Sequence, residues 1–462
     1  ALGGSAFITI WSADEDPITV DGNVAVPGKG LEETQRGRGA VEIKIDYGGG
    51  ITTLVGPGSV AVPGTLAAME DAWQHYGRAA WRDIFEPTIR ACRDGYPLSA
   101  ACRYYLGYSG DIVFGRSDDG YRALHREDGT LLDSGDIVVV PHLADTLGAI
   151  ADEGARIFYE GEIARAISDH CRDGEGSLTR EDLASYRAIE REPLLTRIGD
   201  WQLATNPPPA VGGAVLTAML LACADLDIER WDSTALLQLI QSQRVCLDFR
   251  QRHLDLADDV GSEAARLVES ARDGSLLTRW TSASTVHTSV VDDSGNGCAI
   301  TASSGYGSGE MPQGTGLWLN NCLGEIELNR RGLDAGPPGA RLPSNMAPSV
   351  ARRKGGVLAV GSPGADRITT AMQQFLINYL QLGMPLGDAI AHPRVHVDTS
   401  GEVINLKAEP GLDLPEIDLP VSVFPGLVMY FGGVGAAVFD SDGGFDVAAD
   451  PRREGGVFNP DA

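Results

Sequence analysis

The chain has 462 residues, 43% hydrophobic and 22% charged, which is ordinary globular composition with ample material for a core. That excludes wholesale disorder, and the length allows two or three ordinary domains or one large layered one. Thirty-seven Lys and Arg against 64 Asp and Glu leave a net charge of −27, which repels phosphate backbones and anionic membranes, so neither is an expected partner.

In chain order, residues 7–11 read as a strand, followed by the turn Asp14-Glu15-Asp16-Pro17 and a second strand over 18–20. A glycine-rich stretch over 48–58 leads to a helix opening near Gly64, with Leu66, Met69, Trp73 and Tyr76 at helical spacing. A second helix follows Trp81, carries Ile84, Phe85, Ile89 and Cys92, and closes at Gly95 and Pro97. Residues 141–150 repeat the helical pattern, and Thr179-Arg180-Glu181-Asp182 is a capping box before another short helix. Pro207-Pro208-Pro209 is a rigid loop ending in Gly212-Gly213, followed by helices over 215–226 and 236–249. The character changes near Arg279. Residues 285–292 are β-like, Ser294-Gly295-Asn296-Gly297 turns, and 298–303 returns. Strands are predicted over 317–319 and 357–360, and a helix over 367–382 after the turn Gly361-Ser362-Pro363-Gly364. The first 284 residues are thus mainly helical, and the rest is strand-led.

Seven cysteines without C-x-x-C spacing argue against a disulfide framework or zinc ribbon and for small buried hydrophobes. His392 and His396 are four apart, but Pro393 intervenes, so no metal is expected. No apolar stretch approaches the roughly 20 residues that span a bilayer. The chain starts abruptly inside what reads as a glycine turn, which leaves room for a leader ahead of it. A cytoplasmic location is favoured, with a secreted or periplasmic one as the alternative.

No G-x-S-x-G elbow, P-loop or dinucleotide-binding fingerprint is present. The run Ser303-Ser304-Gly305-Tyr306-Gly307-Ser308-Gly309 looks like a phosphate cradle but lacks a Lys, and a turn is the plainer reading. The informative segment is Ser284-Thr285-Val286-His287-Thr288-Ser289-Val290-Val291-Asp292. A hydroxyl residue stands at the start of a strand with a tight turn and a return strand behind it. N-terminal nucleophile (Ntn) hydrolases have this layout: the precursor cleaves itself before a Thr, Ser or Cys, and the new α-amine is general base for that residue's side chain.

With these residues the chain resembles the γ-glutamyltransferase (γ-glutamyl transpeptidase) family. Val62-Pro63-Gly64-Thr65, Tyr76-Gly77-Arg78, Phe158-Tyr159-Glu160-Gly161 and Leu178-Thr179-Arg180-Glu181-Asp182-Leu183 are similar to family segments. So are Pro207-Pro208-Pro209 with Gly212-Gly213, the 286–292 run, Gly316-Leu317-Trp318-Leu319-Asn320-Asn321, Arg341-Leu342-Pro343-Ser344-Asn345-Met346 and Gly361-Ser362-Pro363-Gly364-Ala365-Asp366-Arg367-Ile368, all in the family's order. The resemblance implies an α+β fold, the four-layer αββα sandwich of Ntn hydrolases. It is made as one proenzyme and cut before Thr285 into a large piece, 1–284, and a small piece, 285–462. The two pieces would stay together as an αβ heterodimer, with a higher oligomer left open. No cofactor or metal is implied, and the substrate is a small molecule.

Residue by residue, the resemblance makes Thr285 the nucleophile and Ser303 its supporting hydroxyl, where the family usually has Thr. The backbone N–H groups of Gly364 and Ala365 become the oxyanion hole. The family's glutamyl-binding positions differ together. Asn23 stands for an Arg, Gly305 for an Asn, Cys322 for a Gln, Glu325 for an Asp, and Asn345 for a Ser beside the retained Ser344. A neutral amide cannot make Arg's bidentate pair with a carboxylate. The expected activity is therefore hydrolysis of an amide or activated carbonyl other than glutathione. Carbon–carbon bond hydrolysis, as in family members of alkylproline-antibiotic biosynthesis, is one such activity. An ordinary γ-glutamyl hydrolase or transferase is the alternative, and a catalytically silent binding homologue the second alternative.

Overall fold

A computed structural model of the chain describes residues 2–46, 50–224, 228, 230–273, 285–326, 328–399 and 403–460. The first residues of the 48–58 glycine stretch, the end of the helix expected to reach 226, the change of character near Arg279 and the residue before the expected cut, Ser284, lie outside them. The chain forms two compact units, Ala1–Ala6 with Val20–Ile189 and Ala302–Leu342, and Phe7–Thr19 with Glu190–Thr301 and Pro343–Ala462. Each unit takes residues from both sides of position 285.

The first unit is helical. Thr65–Tyr76, Trp81–Asp94, Leu143–Glu153, Arg156–Glu160 and Glu162–Asp173 are helices whose apolar stripes meet in one core. Ile163, Ile167 and Cys171, four apart, fill it with Ile150 and Phe158, as a 3.6-residue period requires. The capping box forms: Thr179 Oγ1 accepts from Asp182 N at 3.1 Å, and the Asp182 carboxylate accepts from Thr179 N at 2.9 Å. Asp182 also accepts from Gly28 N and Lys29 N, so one helix cap ties down the N-terminal loop. The strand expected over 317–319 is not one. The N–H groups of Leu317 and Leu319 go to Thr315 Oγ1 and Glu310 O, both loop atoms, and only an isolated bridge from Leu319 to Gly3 remains. Leu317 and Leu319 instead bury their side chains in the helical core.

The second unit is built on a six-stranded sheet in the order Gly444–Ala449, Gly435–Asp440, Gly356–Gly361, Ser349–Arg353, Trp201–Thr205, Leu194–Ile198, antiparallel throughout. Both faces are covered, so Gly356–Gly361 is apolar without a break and fully buried. Leu358 and Val360 face the helices Gly212–Leu221, Ser233–Phe249 and Arg367–Leu376 through Leu216, Leu239, Met372 and Phe375. Val357 and Ala359, on the opposite face, meet Trp11, Val291 and Ala299 from a second sheet. That sheet runs Val286–Val291, Gly297–Ser303, Ser5–Trp11, Ile18–Gly22, Ile189–Arg191, and four of its strands continue along the chain into the first unit. The helix expected over 367–382 is α-helical only to Leu376. The next turn, Ile377–Gln381, widens to π geometry, and the Asn378 side chain there bonds Trp231 Nε1 and Ala389 O. All seven cysteines are free. No helix among the described residues is long and apolar enough to cross a membrane.

Candidate active site

The expected site residues divide between the units. Thr285, Ser344, Asn345, Gly364 and Ala365 belong to the second, and Asn23, Ser303, Gly305, Cys322 and Glu325 to the first.

In the second unit Thr285 is buried immediately before the strand Val286–Val291. Two residues on, His287 is locked. Ser289 Oγ donates to Gly435 O at 3.1 Å, so it accepts from His287 Nε2–H at 2.7 Å, and His287 Nδ1 accepts from Thr301 Oγ1 at 2.8 Å. Burial holds the imidazole down to a pKa of about 3. A ring with both nitrogens engaged and so little basicity is not a general base near neutral pH. Gly361 is required beside it, because a Cβ there would lie 2.3 Å from the ring.

The strand Gly356–Gly361 ends at the turn that carries Gly364 and Ala365, directly before the helix Arg367–Leu376. Among the described residues neither the Gly364 nor the Ala365 backbone N–H has an acceptor, and both lie at the positive end of the helix dipole. Ala365 has φ +69°, the left-handed region that disfavours a side chain. Four contacts hold the turn there. Asn345 Nδ2 donates to Ala365 O at 2.6 Å. Asp366 forms an ion pair with Arg250, which is wholly buried and also bonds Asp255 at 3.0 Å. Gly432 backs Gly364 so closely that a Cβ on Gly364 would fall 2.6 Å from it, and Ser362 Oγ accepts from Gly433 N.

Ser344 and Asn345 are placed by the proline loop. Ser344 O accepts from Val211 N and Gly212 N at 2.8 and 3.0 Å, and Asn206 Nδ2 donates to Met346 O. Gly212 and Gly213 permit this approach, since a Cβ on either would lie about 2 Å from a carbonyl oxygen, at 2.2 Å from Asn345 O and 1.9 Å from Asn206 O.

In the first unit Gly305, Cys322 and Glu325 come together. A Cβ on Gly305, at φ +64°, would lie 2.3 Å from Asn321 Oδ1 and 2.7 Å from Glu325 Cδ. The Cys322 thiol bonds the Glu325 carboxylate; burial and then that carboxylate push the thiol well above its usual range, so it stays protonated. The glycine run over 303–309 is no phosphate cradle here, because Asn321 Oδ1 accepts from both Tyr306 N and Gly307 N. Ser303 Oγ accepts from Gly305 N at 3.1 Å. Asn23 is buried and bonded within the protein: Nδ2 donates to Leu342 O and Oδ1 accepts from Val24 N. The reading from sequence missed the Arg250–Asp366 pair and the His287 relay. Asp366 beside an expected oxyanion turn and the Gly432-Gly433 doublet were the available signals.

The profile of the gamma-glutamyltranspeptidase family matches residues 1–459. The chain belongs to that family. It is an enzyme of the Ntn-hydrolase class, and family relatives are named as proenzymes. Glutathione hydrolase proenzyme of Escherichia coli strain K12 is 27% identical over 86% of this chain and 73% of its own length. Acylase ACY 1 proenzyme of Pseudomonas sp. strain SE83 is 28% identical over 98% of this chain and 84% of its own. The crystal structure of cephalosporin acylase from Bacillus halodurans superposes with a TM-score of 0.76 at 22% identity, covering 99% of this chain and 87% of that one. The fold is accordingly the α+β sandwich expected from the sequence.

Proposed function

We propose that this family member is cut before Thr285 and that Thr285 then hydrolyses an amide or activated carbonyl other than glutathione. The observation that carries the chemistry is the pair of unbonded N–H groups on Gly364 and Ala365 at a helix N-terminus. In this reading the freed α-amine takes the Thr285 hydroxyl proton as Oγ1 adds to the carbonyl carbon. The two N–H groups meet the oxyanion, each worth about 3 kcal/mol. Collapse expels the leaving group with that proton and leaves an ester on Thr285. Water, deprotonated by the same amine, releases the acid. Ser303 is assigned to support the amine. His287 and Thr301 are hydrogen-bonded, and Thr285 lies two residues before the first and Ser303 two after the second. The products of the cut, 1–284 and 285–462, act together as an αβ heterodimer.

The substrate reading rests on the polar groups. Asn23 is neutral and already bonded, and Gly305, Cys322 and Glu325 form a set of their own, so Asn23, Gly305, Cys322, Glu325, Ser344 and Asn345 are assigned to a substrate that is not γ-glutamyl. The name acylase on a relative matching 98% of the chain supports an acylated small molecule. Attack on a carbonyl with a stabilised carbon leaving group would break a carbon–carbon bond by the same steps. Carbon–carbon bond hydrolysis, as in alkylproline-antibiotic biosynthesis, therefore stays within this reading, with an ordinary γ-glutamyl hydrolase or transferase as the alternative.

The test is mass spectrometry of the protein quenched with an acyl anilide panel that includes a γ-glutamyl anilide. The acyl group is expected on Thr285 from a non-glutamyl member, with slow turnover of glutathione. Robust glutathione hydrolysis would restore the γ-glutamyl alternative, and an acyl group on another residue would remove Thr285.

A further inference from the structure

We infer that Arg453 is a positioning residue for the oxyanion: its guanidinium clasps the backbone over 429–432, and the wall so formed keeps the Gly364 and Ala365 N–H groups aimed at one point. The inference rests on the reading of Gly364 and Ala365 as the oxyanion turn.

Ala365, at φ +69°, is in a conformation that persists only where the surroundings fix it, and Gly364, at φ +128°, has no side chain to lock it. Gly432 backs the turn from behind. Its Cα would lie 2.6 Å from a Cβ on Gly364, and a Cβ of its own would lie 2.9 Å from Ser362 Oγ and 3.0 Å from Pro363 O. The wall is therefore as firm as the segment that carries Gly432. That segment has only one short helical turn, Met429–Phe431, so its carbonyls need partners from elsewhere, and arginines supply them. Tyr430 O accepts from Arg367 Nε and Phe431 O from Arg394 Nη1, both at 3.0 Å. Met429 O and Gly432 O both accept from Arg453, at 3.0 Å from Nη2 and 3.2 Å from Nε.

Among these arginines Arg453 is the one whose bonds close the segment on itself. Arg394 is wholly buried and paired with Asp450 at 2.7 Å, and Arg367 starts the helix after the turn and lies over the Tyr430 ring, so both serve the core as well. Arg453 is half-buried, and one planar guanidinium joins the two ends of the segment, Met429 and Gly432. Its stem runs flat along Gly433, where a Cβ would fall 2.4 Å from Arg453 Cδ. Without the clasp Gly432 can draw back, and the turn it supports relaxes by a fraction of an ångström. Such a shift leaves binding of the ground-state carbonyl intact but lengthens the bonds to an oxyanion that exists only as the carbonyl is attacked, so the rate falls and the half-saturating concentration does not change.

The experiment is burst kinetics of the full-length protein with p-nitrophenyl acetate, an activated ester, read as the acylation rate constant at saturation and the half-saturating concentration. Arg453→Met keeps a stem against Gly433 and removes the guanidinium. It is expected to lower the rate constant about tenfold and leave half-saturation unchanged, with Arg453→Lys in between. Gly433→Ala, whose methyl displaces the Arg453 stem, is expected to act in the same way. The double variant should be no slower than Arg453→Met alone, because both changes open one clasp. An unchanged rate constant in Arg453→Met, a loss seen only in half-saturation, or losses that multiply in the double variant overturns the proposal. Failure of both single variants to fold also overturns it, since Arg453 would then serve the fold and not the turn. A wild type without a burst sinks the oxyanion reading itself and the proposal with it. A wild-type burst that Thr285→Ala abolishes, with the Arg453 variants at the wild-type rate, sinks only the Arg453 proposal.

Discussion

Ala365 is held at φ +69° in a turn where a glycine would sit without strain, and its Cβ contributes nothing to a backbone N–H donor. Ala365→Gly should raise the unfolding free energy by about 1 kcal/mol, read as a higher urea midpoint. Gly305 behaves oppositely. Asn321 Oδ1, the nearest atom to a new Cβ, is fixed by two backbone donors while its Nδ2 bonds Thr53 and Leu54. Gly305→Asn should therefore lower the midpoint by an amount equivalent to about 1–3 kcal/mol, and combining it with Glu325→Asp, which withdraws the second obstacle, should recover part of the loss. If the pair is no better than the single variant, Gly305 and Glu325 do not share that space. Both residues were marked by sequence as departures from the family, but their mutual dependence was not, because it rests on which side chain fills a particular volume. The same limit applies to Asn23. Sequence shows that a cation is missing, and only coordinates show its amide bonded to Leu342 and Val24.

At the scale of elements, the buried Arg250 joins the end of one helix to the head of another by bonding Asp255 and Asp366. Arg250→Met would leave two buried carboxylates without their cation and should cost about 3–5 kcal/mol in denaturant unfolding. Acid should act through the His287 relay. Its folded pKa, about 3, is below the unfolded value of 6.5, so between these values the unfolded chain binds the extra proton. The stability is fully present above about pH 6.5 and falls at up to about 1.4 kcal/mol per pH unit as the pH drops toward 3. His396, shifted the same way by burial, adds to this. Urea midpoints measured across pH 4–7 should show that slope, and His287→Gln should remove the His287 share of it and leave the share of His396. The period-2 strands, the capped helix after Thr179 and the amphipathic helices of the first unit were legible from residue pattern. The segment over 317–319 was not, because its apolar alternation serves a helical core and its backbone bonds go to loops.

At the scale of the whole molecule, each unit contains residues from before and after position 285. A cut there would leave both units built from two chains, so the fragments should copurify and separate only on unfolding. The one-chain family pattern was legible from ordered motifs, whereas the division into units was not, since no linker composition marks it. The most direct test of the account is N-terminal sequencing of the smaller fragment from purified wild type, beside Thr285→Ala. The expected result is a fragment beginning Thr285-Val286-His287 in the wild type and a single uncut chain in the variant. A wild type that stays whole, a fragment starting at any other residue, or a Thr285→Ala chain cut at the same place would contradict it.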